Sequence, residues 1–519
     1  SYAIVWRCQA PLKWCKTPPA SPSAQHKGSL APQTQYTNFT CSRMYTVRMK
    51  RIAGLAVTIL FLCHCGAPTL VHPSATLRET GRSPKIHIKA MELLDASVGI
   101  EDPKYLQIMH RILWVPGYTN QVRQEALSRL WITDRTNTIR TIRQQLPRLE
   151  NWSWLTELCI WIANEHVEEL DEALISSWAV PTSMVKTDLE RPEYLALLQM
   201  HGEEAIIELI FSSFVTTNKA WKENYRIRCW ELLHRLAERD KLVALLNRSD
   251  LPEDDQFLLD LQRAMNELGI VPYLREEILW IRELATEKYE SFWNEAIDTL
   301  AELDESRRNE LEMRDIPMAV SIHRHSPRYL HMPTQRVLQE IERKLKNRRH
   351  YFETEGGGSY ASNNELFRVH KDTLTWGDAM AITTALSAME VPEVRRHLFA
   401  YAARDLADET TEYGGVIALD EEGRFEILEF EPKIRHHNRR FNASQAMFDA
   451  AYTALFHFHF HAQQYRNGDH AGPGRGDKNY AQNTRANCLV MTYINETTMN
   501  IDYYRHGYVV VDLGTVSLP

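Results

Sequence analysis

Six residues near the C-terminal end alternate without a break: Phe456-His457-Phe458-His459-Phe460-His461. On a helix such residues would scatter around the axis, whereas in an extended strand successive side chains point to opposite faces. The pattern therefore predicts a strand with three phenyl rings on one face and three imidazoles on the other. The phenyl face needs a packed layer beneath it, so the strand belongs to a sheet-based domain. Imidazoles two residues apart can share one ion, as His457 with His459 or as His459 with His461. A solvated or merely hydrogen-bonded histidine face is the competing reading. Metal is favoured by the glycine-rich turn that follows, Gly472-Pro473-Gly474-Arg475-Gly476-Asp477, because it carries an aspartate.

Two neutral imidazoles and one carboxylate would leave Zn²⁺ with an open fourth position, the arrangement of catalytic rather than structural zinc. A closed structural site would use thiolates, and Cys159, Cys229 and Cys488 are too scattered for a Cys-x-x-Cys pair. A water in the open position would have its pKa lowered to about 7 and would need a nearby carboxylate to take its proton. Glu412 is the candidate. It stands where a helical stretch gives way to the apolar run Gly414 to Leu419, and its two glycines allow close backbone approach. Taken alone, Glu412 reads as an ordinary charge at a sheet edge. Asp469 and His470 are near enough along the chain to enter the ligand set.

Taken together, Glu412-x-x-Gly415, His459-x-His461 and Pro473-Gly474-x-x-Asp477 resemble the JAMM (JAB/MPN) metalloprotease family. That family's pattern is a glutamate with a glycine three places on, then His-x-His-Pro, then Ser-x-x-Asp. The resemblance runs from near residue 395 to the end. It implies a mixed β-sheet domain flanked by helices, with zinc held by His459, His461 and Asp477 and with Glu412 as general base. The implied reaction is hydrolysis of a peptide or isopeptide bond in a protein or peptide substrate. A helix over residues 441–455, opened by Asn442 or Ser444, and strands over 488–494 and 507–513 suit that fold. The chain departs from the family at Ala462, which stands in place of the proline. Fifteen residues, a longer spacing than the family's, separate His461 from Asp477. Gly474 replaces the serine that helps hold the oxyanion, a contribution of about 3 kcal/mol where one such donor has been removed. Backbone N–H groups of the glycine-rich loop are the substitutes at hand.

At 519 residues the length suggests about three domains. A net charge of −8 without a basic stripe argues against nucleic acid as a partner. Residues 95–330 read as successive amphipathic helices, for example Tyr289, Phe292, Trp293, Ala296, Ile297 and Leu300 at helical spacing. They suggest an α-solenoid resembling HEAT repeats, suited to binding a protein partner, with a compact bundle as the alternative. Trp152, Trp154 and Trp161 are expected in its core. Residues 331–375 read as a basic helix, Thr334 to Arg349, and a linker around Gly356-Gly357-Gly358-Ser359. Residues 376–519 form the metal-binding domain. The fold class is thus α plus α/β. The histidines His323, His325 and His331 are expected in a polar interdomain loop.

Residues 1–67 read as a leader. The first 43 are rich in Pro, Ser, Gln and Thr, and Met44 or Met49 makes a better start. Arg48, Lys50 and Arg51 precede an eleven-residue apolar run, Ile52 to Leu62, which is short for a bilayer span and reads as a signal peptide. Cys63 or Cys65 after it resembles a bacterial lipoprotein signal, implying export to the envelope and membrane attachment through a lipidated cysteine. Residues 68–94 are expected as a linker. Two other functions stand beside the zinc hydrolase: a non-catalytic scaffold of the same fold, and a zinc deaminase, whose His-x-Glu and Pro-Cys-x-x-Cys are missing.

Overall fold

The computed structural model describes residues 70–217, 222–351, 366–430, 441–467 and 470–519. The leader with Cys63 and Cys65, the glycine-rich linker and Asp469 lie outside the described residues. Helices dominate as far as Ala407, and a six-stranded mixed sheet completes the C-terminal part, so the chain is α plus β.

The first helices lie side by side in two rows. In one row, Arg129 Nε donates to Asp95 Oδ2 (2.9 Å), Gln124 Nε2 to Glu157 Oε2 (2.6 Å) and Gln199 Nε2 to Asn164 Oδ1 (3.1 Å). These bonds join the helices Pro84–Ser97, Asn120–Thr133, Trp152–Asn164 and Pro192–His201, each link spanning 33 to 35 residues. Pro103–Trp114, Arg135–Gln145 and Asp171–Trp178 touch in the same succession to form the other row. A core running from Leu77 to Ile278 fills the space between, with Trp154 fully buried in it and Trp161 set edge-on to Trp131. Residues 68–94, read as a linker, in fact carry the helices Pro73–Arg78 and Pro84–Ser97, with Leu77, Ala90 and Met91 in that core. Their prolines sit at the first helical turn, where no N–H is required, so they start helices rather than interrupt them.

A second core runs from Ala264 to Val516 and crosses position 330 without a break. It includes Val337, Leu338, Ile341 and Leu345 of the helix Thr334–Leu345, so the basic helix is packed along one side. The histidines read as an interdomain loop belong to the helices Asp315–His325 and Arg328–His331. His325 stacks on Phe425, and His323 and His331 face Glu302.

The strands are β1 (Gly414–Leu419), β2 (Phe425–Glu429), β3 (Phe456–His461), β4 (Cys488–Asn495), β5 (Thr498–Arg505) and β6 (Val509–Ser517), in the spatial order β2-β1-β3-β4-β5-β6. Only β3 and β4 are parallel, and the helix Arg475–Thr484 lies on the crossover between them. Alternation along β3 sorts its side chains as the sequence requires. Phe456, Phe458 and Phe460 enter the large core with Leu489 and Met491. On the opposite face Ala481 packs over Cys488 and Val490, and Met447 and Ala451 over Val416. No helix among the described residues is long and apolar enough to cross a membrane.

Candidate metal centre

Every residue of β3 is buried, and the three imidazoles are only 5–8% exposed, which removes the solvated-face reading. His457 stands outside the group of donors formed by His459, His461 and Asp477, and its Nδ1 is hydrogen-bonded to the Tyr480 hydroxyl at 2.7 Å. Burial pushes its pKa down to about 4, so it is neutral. His459 and His461 form the convergent pair, with their Nε2 atoms 3.3 Å apart. Phe441 stacks on His459 with the planes at 8°. Gly414, opposite His459 on β1, leaves room for it, since a Cβ there would lie 2.7 Å from the Phe441 ring.

Asp477 arrives from the other side of the crossover as the third residue of the helix Arg475–Thr484, where the helix dipole favours a carboxylate. Gly474 N–H donates to its Oδ2 at 2.7 Å, so that backbone donor is engaged in fixing the ligand. Oδ1 lies 3.3 Å from His459 Nε2 and Oδ2 lies 3.6 Å from His461 Nε2. A tetrahedral zinc ion with bonds of about 2.0–2.1 Å would require donors about 3.3–3.4 Å apart. The two imidazole nitrogens match that spacing, and each Asp477 oxygen approaches one of them at close to it, with one donor atom from every residue within 4.8 Å of the others, so the donor types and their convergence fit the ion. Among the described residues this is the one cluster able to hold a metal.

The tautomer agrees. His461 Nδ1 donates to the His470 carbonyl at 2.6 Å, which leaves Nε2 as the inward lone pair of the neutral ring. His470 thus contributes its backbone rather than its ring. Without metal the charges redistribute. Burial would lower the pKa of His461, but its hydrogen bond to Asp477 and the charges of Asp477 and Glu412 outweigh this and raise it to about 9. Burial alone would raise Asp477, yet His459 and His461 hold it well below the carboxylate range.

Glu412 lies two residues before β1. The pairing of Gly414 with His459, continued by two residues, sets Glu412 opposite His461, and Phe460 N–H donates to Tyr413 O at 3.0 Å. It is 6% exposed, so it is no edge charge. Gln463 Nε2 donates to its Oε1 at 2.7 Å, and Asn467 Nδ2 donates to Gln463 Oε1 at 2.5 Å. Behind it Asp405, at the end of the helix Pro392–Ala407, accepts from Tyr413 N–H at 3.2 Å while its Oδ2 is buried without a hydrogen bond. Burial and the Glu412 charge push the Asp405 pKa up to about 8. Sequence reasoning overlooked Gln463, Asn467 and Asp405. The period of two, carried one step past His461, points to Gln463; nothing local points to the other two.

Comparison of the chain with protein-family models, with curated proteins and with solved structures gives no match.

Proposed function

We propose that this chain is a zinc-dependent hydrolase of the JAMM type, cleaving peptide or isopeptide bonds, with a solenoid-like helical region that binds the protein substrate or a partner. The observation that supports it is the convergence of His459, His461 and Asp477 at zinc-ligand spacing with a buried glutamate on the same strand face. When bound, zinc supplies a Lewis acid that polarises a carbonyl and acidifies a water. The protein's own part is to hold three donors in place and to move a proton. His470 O and Gly474 N–H orient the ligands from behind. Glu412 Oε2 is the oxygen left for proton transfer, since Oε1 accepts from Gln463, and the same carboxyl delivers the proton to the leaving amine. The 33-to-35-residue links between stacked helices favour the solenoid reading, and the run Ile52 to Leu62 ahead of Cys63 and Cys65 adds export and lipid attachment.

The test is metal analysis joined to cleavage of a peptide library. The wild type should carry one zinc per chain, H459A and D477N should lose it, and E412Q should keep zinc yet lose turnover. Purified protein without bound transition metal would end this reading. The scaffold reading draws on Gly474, whose N–H serves Asp477 and so is not left for an oxyanion. In a scaffold E412Q changes nothing measurable.

A further inference from the structure

Gln463 lies two residues beyond the end of β3, and its amide orientation is dictated rather than chosen. A carboxylate can only accept, so the nitrogen must face Glu412 and the oxygen must face Asn467, which then has to donate. The observed contacts obey this at 2.7 Å and 2.5 Å. Asn467 is 1% exposed, so the far end of the chain of bonds is anchored inside the protein. The turn that brings Asn467 back over Gln463 holds Arg466 at φ 54°, a left-handed conformation that disfavours a side chain with a Cβ. Arg466 N–H also donates to Ile494 O at 3.0 Å, tying the turn to β4. A strained turn, pinned to the sheet and closing an amide-to-amide-to-carboxylate chain, is more structure than a loop needs merely to reverse direction.

We propose that Gln463, braced by Asn467, is a positioning residue that fixes Glu412 for proton transfer. The proposal rests on the hydrolase reading above. A glutamate side chain has three torsions, and a misplacement of about 1 Å can cost as much as about 10²-fold in rate. Pinning Oε1 with one donor leaves Oε2 for proton transfer on a residue that the β1–β3 register sets opposite His461. The chain therefore has in Gln463 a constraint on its base, at a site where Gly474 offers no side-chain hydroxyl.

The experiment uses the full-length, zinc-loaded protein and a fluorogenic peptide cleaved by the wild type. In Q463A, and in Q463E, which keeps the length but replaces the donor with an acceptor, zinc should stay at one per chain. kcat should fall by about 10–100-fold with KM within about twofold. N467A should act in the same direction more weakly, and the Q463A/N467A double variant should be no slower than Q463A, because both act through one chain of bonds. A second readout needs no turnover: in metal-stripped protein the melting shifts of Q463A and E412A should be coupled rather than additive. Unchanged kcat in Q463A beside an inactive E412Q overturns this proposal and leaves the hydrolase reading standing. Full turnover in E412Q removes both, strictly additive melting shifts overturn the linkage whatever the activity, and zinc loss in Q463E would make Gln463 a structural support of the ligands instead.

Discussion

At His461 a proton and a metal ion compete for the same nitrogen. Nδ1 already donates to the His470 carbonyl, so in metal-free protein the added proton sits on Nε2, facing Asp477. The folded pKa of about 9 lies above the ordinary 6.5. The stability this proton contributes is therefore complete below about 6.5 and lost as pH rises through about 9. Zinc has to displace it, so zinc affinity should climb by about tenfold per pH unit as pH rises toward about 9 and level off above it. Competition with a chelator across that range measures the slope, and a flat profile would contradict the assignment. Asp405 carries the same sign over a lower range. Its folded pKa of about 8 exceeds the ordinary 3.8, so the folded form holds a proton that the unfolded chain has released, and stability falls as pH rises from about 4 to 8. D405N keeps an oxygen for Tyr413 N–H and abolishes that decline. In metal-stripped protein its melting temperature relative to wild type should rise from pH 5 to pH 8, whereas a constant difference would show that Asp405 is ionised throughout.

Among the elements, β1 is held closely on both sides. It runs between β2 and β3, and a Cβ on Gly415 would stand 2.1 Å from the backbone oxygen of Leu428. G415A must push β2 away and should destabilise the protein by about 1–3 kcal/mol, read as a lowered urea midpoint. An unmoved midpoint would mean that the β1–β2 edge yields freely. Where a period was strict the element was legible: β3 from its alternation, the helix Gln445–Ala451 from its Ser444 cap, and the helix after Pro473-Gly474 from its turn chemistry. The meeting of His459, His461 and Asp477 was readable from the strand alternation together with that turn. β5 was hidden because Asn500 and Asp502 break its apolar run. Both are buried, with Asn500 Nδ2 donating to Asp502 and to Asp512, so a polar strand interior satisfies itself across the pair. Asp405 was illegible in principle, since only tertiary packing brings the end of the helix Pro392–Ala407 against the residues leading into β1.

Across the whole molecule, helices and sheet are joined by a buried ionic knot that no local pattern announces. Asp378, at the start of the helix Trp376–Glu390, receives Arg314 Nη1 at 3.0 Å, Arg505 Nε at 2.8 Å and Nη2 at 2.7 Å, and the Tyr503 hydroxyl at 3.1 Å. Arg314 also donates to Asn487 Oδ1 at 2.9 Å, and the Asn487 carbonyl accepts from His457 N–H at 2.9 Å, so the knot reaches the first residues of the histidine strand. Burial would raise the Asp378 pKa, but the two guanidiniums outweigh it and hold the carboxyl well below its ordinary 3.8. The stability it contributes is thus present above about pH 4 and lost only as the solution becomes more acid than that. D378N keeps the shape and removes the charge, leaving Arg505 without a carboxylate in a dry interior while Arg314 keeps Glu312 and Asp315, at a cost of about 3–5 kcal/mol. The Leu77–Ile278 core lies elsewhere, so urea unfolding of D378N at pH 7 should separate into two transitions. The earlier belongs to the sheet-bearing core, reported by Trp376, and the later to the helical rows, reported by Trp154, Trp178 and Trp230. A single transition, shifted as a whole, would instead establish that the two cores unfold as one cooperative body.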